Sequence, residues 1–103
     1  MYYTYMLRCE DNSIYTGITT DLERRFSEHC SKKEKCAKYT LNHTAMKFEA
    51  VWQSSDRALA SKLEYSLKKL TKSQKESIIK DEKIFLMALG EKINCEEYKR
   101  VKI

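Results

Sequence analysis

The chain has no proline, only two glycines, no long apolar run and no repeated or low-complexity tract in its 103 residues. The missing Pro/Gly/Ser-rich stretches leave no linker at which to divide it, so the length reads as one domain. The want of apolar runs removes a membrane span. No basic start followed by an apolar stretch marks a secretory leader, so a soluble, cytoplasmic protein is expected. Four cysteines, Cys9, Cys30, Cys36 and Cys95, form no CxxC pair and match no zinc spacing. Reduced thiols are the simplest account of them.

What is present is a charged, aromatic-bearing globular composition. Charged residues make up 34% and hydrophobic residues 42%, with 11% aromatics, so a modest core under a polar surface is expected rather than disorder. The formal net charge is +5 with a pI near 9.0. That balance suits nucleic acid or an anionic surface as a partner and identifies neither. A membrane-surface role would need a basic amphipathic helix with bulky apolar anchors, and none stands out.

Residues 2–9 and 14–20 are rich in aromatic and β-favouring types, with the polar Glu10-Asp11-Asn12-Ser13 between them. This predicts a β-hairpin in which Asn12 takes a positive φ. Thr20 with Glu23 three residues on has the capping-box pattern, and Leu22, Phe26 and His29 then fall on one helical stripe. Residues 31–47 have no clear period and hold a basic cluster, so they read as a long loop or short irregular helix. Residues 48–52 read as a third strand. Ser55 or Asp56 opens a second helix with the stripe Leu59, Leu63, Leu67 and Leu70. Thr71 and Gln74 cap a third, anchored by Ile78 and Ile79. Residues 84–89 extend it or form a separate turn stopped at Gly90. The expected order is β-β-α-β-α-α: an α/β (α+β) domain over residues 1–90, with a three-stranded antiparallel sheet flanked by helices. The tail, 91–103, stays open.

The chemistry-bearing residues are Tyr3-Thr4-Tyr5, Tyr15-Thr16-Gly17, Arg25 ten positions after Tyr15, and Glu64 on a later helix. In this order and spacing they resemble the GIY-YIG nuclease family. Tyr3-Thr4-Tyr5 stands where that family has Gly-Ile-Tyr, and Tyr15-Thr16-Gly17 where it has Tyr-Ile-Gly. The run YTGITTDLERRFSEH is similar to a small stand-alone, excinuclease-like branch of the family, as are Ala37-Lys38-Tyr39-Thr40 and Glu64 followed by Lys68-Lys69-Leu70. The likeness covers residues 2 to about 80. Tyr3 departs from the family's first Gly and Thr16 from its Ile, and neither change removes a reacting group. The lysine often found after the second tripeptide is Ile18 here, which takes away one expected phosphate contact.

The resemblance implies a metal-dependent endonuclease that hydrolyses DNA phosphodiesters. Such a reaction needs an activated water, a cation near the phosphoryl oxygens and stabilisation of the leaving oxygen. A free tyrosine has a pKa near ~10, so about a thousandth is phenolate at neutral pH, and a nearby cation raises that fraction. By analogy Tyr15 is the general base and Tyr5 holds the water or phosphate, with exchanged roles as the alternative. Arg25 holds the phosphate. Glu64 ligates Mg²⁺ or Mn²⁺. His29, four residues from Arg25, is an auxiliary base, a supporting group or merely structural. Lys32, Lys33, Lys35, Lys38, Tyr39 and Lys68 form a candidate strand-binding rim, with Lys47 and His43 near it. With no appended recognition helix or zinc finger, structure-directed or weakly specific cutting of branched or single-stranded DNA is expected.

Each residue alone has a plainer reading. Tyrosines pack well in strands, Arg25 suits a solvated helix face, Glu64 could pair with Lys68, and the lysines could belong to a solvated loop. The rival function is a nucleic-acid-binding module that acts with a protein partner. The hairpin supplies a geometric criterion. Two tyrosines serving one site must share a sheet face, and Tyr5 and Tyr15 have equal parity. Directly opposed residues must therefore have an even index sum. A plain two-residue turn at Asp11-Asn12 makes the sum odd. A three- or five-residue loop or a bulge is required.

Overall fold

The hairpin turns on three residues. In the computed structural model, which describes residues 1–31 and 43–103, β1 (Tyr2–Cys9) pairs antiparallel with β2 (Ile14–Thr19). Tyr5 lies opposite Gly17 and Leu7 opposite Tyr15, so the index sum is even. The Cys9 amide donates to the Ser13 carbonyl at 3.0 Å and the Asn12 amide to the Cys9 carbonyl at 2.9 Å. Asn12 takes φ 71°, the left-handed position that closes a three-residue hairpin loop.

The sheet has four strands, in the order β2-β1-β3-β4, where three were expected. The third, β3 (Ala45–Ser54), starts three residues earlier than the sequence suggested and pairs antiparallel with β1. The fourth, β4 (Lys99–Val101), comes from the tail 91–103, where the sequence pattern predicts no element, and it covers the far edge of β3. Three residues are too few to show a strand period, which is why the pattern was silent there. Ile93 and Tyr98, also in that segment, are buried in the main core, and the Tyr98 hydroxyl donates to the Leu59 carbonyl at 2.6 Å.

Strand alternation divides the chain into two faces. Thr4, Met6 and Arg8 of β1 point towards α2 (Arg57–Lys68), α3 (Lys72–Lys80) and α4 (Glu82–Leu89). Met6, Trp52, Leu63, Leu67, Ile78 and Leu89 form the larger core there. Tyr3, Tyr5 and Leu7 point the other way, towards Leu22 and Phe26 of α1 (Leu22–Ser31). Pairing of β1 with β3 slips between Met6 and Leu7, where Glu49 has no opposite residue. This bulge reverses the parity of β3, so Phe48 and Val51 both reach the α1 face.

The caps follow the sequence with one change. Asp56 opens α2, accepting from the Leu59 amide at 2.9 Å, and Thr71 with Gln74 makes a complete capping box on α3. Asp81 caps α4, which is therefore a separate helix. At α1 the cap is Asp21 and not Thr20: its carboxylate accepts from the Arg24 amide at 3.1 Å. The Thr19 hydroxyl donates to the Asp21 carbonyl and accepts from its amide, which holds Asp21 in place. No helix among the described residues is long and apolar enough to cross a membrane.

Candidate active site

Four of the sequence-selected residues converge on the α1 face. Tyr5 is fully buried at the centre of β1, and its ring is 6.2 Å from that of Tyr15. His29, fully buried at the end of α1, puts Nε2 2.8 Å from the Tyr5 hydroxyl, and its ring is 5.3 Å from Tyr15. One turn earlier on the same helix, Arg25 donates from Nε to the Tyr5 oxygen at 3.4 Å. The spacing of four residues between Arg25 and His29 stacks them on one side of α1. Phe48 closes the floor, 5.1 Å from Tyr5 and 5.4 Å from Phe26.

Gly17 makes this packing feasible. A Cβ there would lie 2.5 Å from the Tyr5 hydroxyl oxygen and 3.0 Å from the Tyr15 ring. Tyr5 therefore lies across its cross-strand partner, a close approach that only glycine allows.

The local electrostatics separate the groups. Burial pushes the Tyr5 phenol up to about 12, against the opposing hydrogen bond from Arg25. Burial, with Arg25 adding to it, pushes His29 down to about 4, so its imidazole is neutral at neutral pH. A neutral imidazole can accept the Tyr5 proton at Nε2 while the Tyr5 oxygen accepts from Arg25. Burial works against the Arg25 charge, but hydrogen bonds to Tyr5 and Glu28 outweigh it and its pKa is raised. Glu28 meets Arg25 at 3.0 Å and Arg24 at 3.9 Å. It was not singled out from the sequence, although its i,i+3 spacing to Arg25 was legible.

Glu64 is on α2, which packs beside β1 and β2. Its side chain is 24% exposed and 3.6 Å from the Lys68 ammonium, and its charge is among those acting on Tyr5. Among the described residues no three His, Cys, Asp or Glu side chains gather into a metal cage. Any cation held at Glu64 would draw its remaining ligands from water and a bound phosphate, a set that Mg²⁺ commonly takes.

Lys32, Lys33, Lys35, Lys38 and Tyr39 lie outside the described residues. Lys68 is exposed beside Glu64. Lys47 pairs with Glu49 at 3.3 Å, and His43 Nδ1 meets the Asp11 carboxylate at 2.5 Å. Tyr2 lies outside the cluster, while Tyr3 packs at its edge.

Arg8 was missed entirely. It is buried on the opposite face, where it meets Glu49 at 2.9 Å and pairs with Glu76, and it also donates to the Asn12 carbonyl at 3.1 Å. One arginine thus ties the hairpin loop, the β3 bulge and α3 together. Its partners are 41 and 68 residues away in sequence, so no local pattern announces them.

The family model of the GIY-YIG catalytic domain matches residues 1–77. The chain is 42% identical over 102 residues to a UPF0213 protein of Fusobacterium nucleatum, covering 99% of this chain and 94% of that one. It is 40% identical over 84 residues to the UPF0213 protein YhbQ of Salmonella typhimurium, covering 82% of each. A solution NMR structure of a UPF0213 protein from Bacillus halodurans is similar at 38% identity and a TM-score of 0.49, covering 78% of this chain and 84% of that one.

Proposed function

We propose, from the premise that the chain belongs to the GIY-YIG family, that it is a metal-dependent endonuclease acting on DNA phosphodiesters. The observation that carries this reading is the shared face of Tyr5 and Tyr15, with Arg25 bonded to the Tyr5 oxygen. Tyr15 is the general base. It is the less buried of the two tyrosines. Tyr5 keeps its proton because burial disfavours its phenolate, and it positions the reacting groups. His29 is a positioning residue: fully buried, it orients the Tyr5 hydroxyl.

In the reaction, the water oxygen bonds to phosphorus and its proton passes to the phenolate oxygen of Tyr15, which becomes the neutral phenol. The bond from phosphorus to the 3′-oxygen breaks, and solvent supplies that oxygen with a proton. Arg25 faces the developing charge on the phosphoryl group. Glu64 would hold Mg²⁺ or Mn²⁺, which supplies positive charge at the phosphoryl oxygens. The basic side chains near Glu64 and the small size of the domain favour structure-directed or weakly specific cutting.

The test is incubation with branched, single-stranded and duplex DNA, with and without Mg²⁺ or Mn²⁺. Metal-dependent product that is lost in both Tyr15→Phe and Glu64→Gln, with DNA binding retained, is the expected result. Binding without product on every substrate would replace the enzyme by a binding module that needs a partner.

A further inference from the structure

The outer face of α2 carries a tyrosine that the fold does not use. Tyr65 is 62% exposed and belongs to neither core cluster. The Lys69 ammonium sits 4.4 Å from its ring centroid. Lys62, Tyr65, Ser66, Lys69 and Lys92 line one surface groove, so three ammonium groups and a phenol border it, with no carboxylate among the described residues that line it. Lys92 comes from the turn after α4, so two separate parts of the chain supply the charge.

Helical spacing sets where this groove lies. At 100° per residue, Lys68 follows Glu64 around α2, then Tyr65, Lys69 and Lys62. Lys68 lies between Glu64 and Tyr65 around the helix, and it pairs with Glu64 at 3.6 Å. The groove is therefore about one helix diameter, ~10 Å, from Glu64. Glu91 is the acidic group nearest in sequence to Lys92, and Asp56 and Glu97 line a different groove beyond Lys62.

We propose that this face of α2 is a binding platform for an unpaired DNA strand, with one base stacked on Tyr65 and the flanking phosphates on Lys62, Lys69 and Lys92. An exposed phenol ring offers a π-face to any base, and lysines on both sides suit the phosphates that follow and precede it. A duplex keeps its bases stacked inside and cannot use the ring. The platform takes its place from the nuclease reading, because it adjoins Glu64, but its binding can be measured without cleavage.

The experiment is fluorescence anisotropy with a labelled oligothymidylate and a blunt duplex of equal length, on the full chain without divalent metal. Tyr65→Ala should weaken the single strand about tenfold, within the range of one base–aromatic stack, and the duplex less than twofold. Tyr65→Phe should stay within twofold of the parent on both. A Lys69→Ala, Lys92→Ala double variant should lower the slope of log affinity against log salt by about 1.4, roughly 0.7 per lost phosphate contact. The proposal fails if the parent does not bind oligothymidylate. It also fails if Tyr65→Ala binds it like the parent, or if both DNAs weaken alike. Tyr65→Ala loss with no cleavage by the parent under any metal would uphold the platform and remove the nuclease reading.

Discussion

The two faces of the sheet are built from different materials. The α2–α4 face is a largely aliphatic core with Trp52 stacked on Phe85 at 5.1 Å, and Arg8, buried there, is met by two carboxylates. The α1 face is small and aromatic, and its polar atoms converge on one phenol oxygen. Burial on the first face stabilises the chain, with charge matched by charge. On the second face burial instead changes proton affinity, since Tyr5 is pushed up and His29 down. A small domain thus gathers its tyrosines, Arg25 and His29 on one side of β1 and most of its core on the other, with Glu64 supplied from α2.

Substitutions can break that comparison or sharpen it. The largest effect is expected from Tyr15→Phe, which should lower the single-turnover cleavage rate by about a thousandfold, the range of a lost general base, with an unchanged melting temperature. A fall in melting temperature that accounts for the lost rate would end the separation of the faces. Ile78→Ala on the other side should do the reverse. It removes a fully buried side chain and should cost about 3 kcal/mol in urea unfolding, with specific activity retained below the transition.

Proton linkage comes next. The unfolded chain protonates His29 near its ordinary value of 6.5 and the folded chain only near about 4. The unfolded state therefore binds more protons in between, so stability is full above about pH 6.5 and falls as pH drops towards 4. The loss from this group is roughly 3 kcal/mol, and His29→Gln should flatten it. Carboxylates paired with Arg8 contribute in the same direction at the lower end of the window, so the difference between parent and variant above pH 5 is the informative quantity. The smallest effect is expected from Gly17→Ala. Its Cβ displaces the Tyr5 ring, which should cost about 2 kcal/mol by overpacking and reduce cleavage without weakening DNA binding.

Local pattern carried much of this fold. The caps at Asp56 and Thr71, the leucine stripe of α2 and the hairpin were legible because each is set by residues within a turn or two. The parity of Tyr5 and Tyr15 required a three- or five-residue loop or a bulge, and the structure takes the three-residue loop, with Asn12 at positive φ. β4 was not legible, since a three-residue strand has no period. The early start of β3 was hidden because its bulges break alternation. Asp21 displaced Thr20 as the α1 cap because Thr19 holds it, a contact that competing side chains decide.

The sequence by itself determined what a common face for the two tyrosines requires, the helix that brings Arg25 and His29 beside them, and the membership of the family that these residues mark. Side-chain periods of 2 and 3.6 are enough to fix such relations. Only the tertiary structure decided what each group experiences. The depth of Tyr5, the neutral state of His29, the ring lying over Gly17 and the Arg8 bridge all depend on neighbours brought from distant segments. Desolvation and close packing are properties of that assembled surrounding and not of any stretch of the chain.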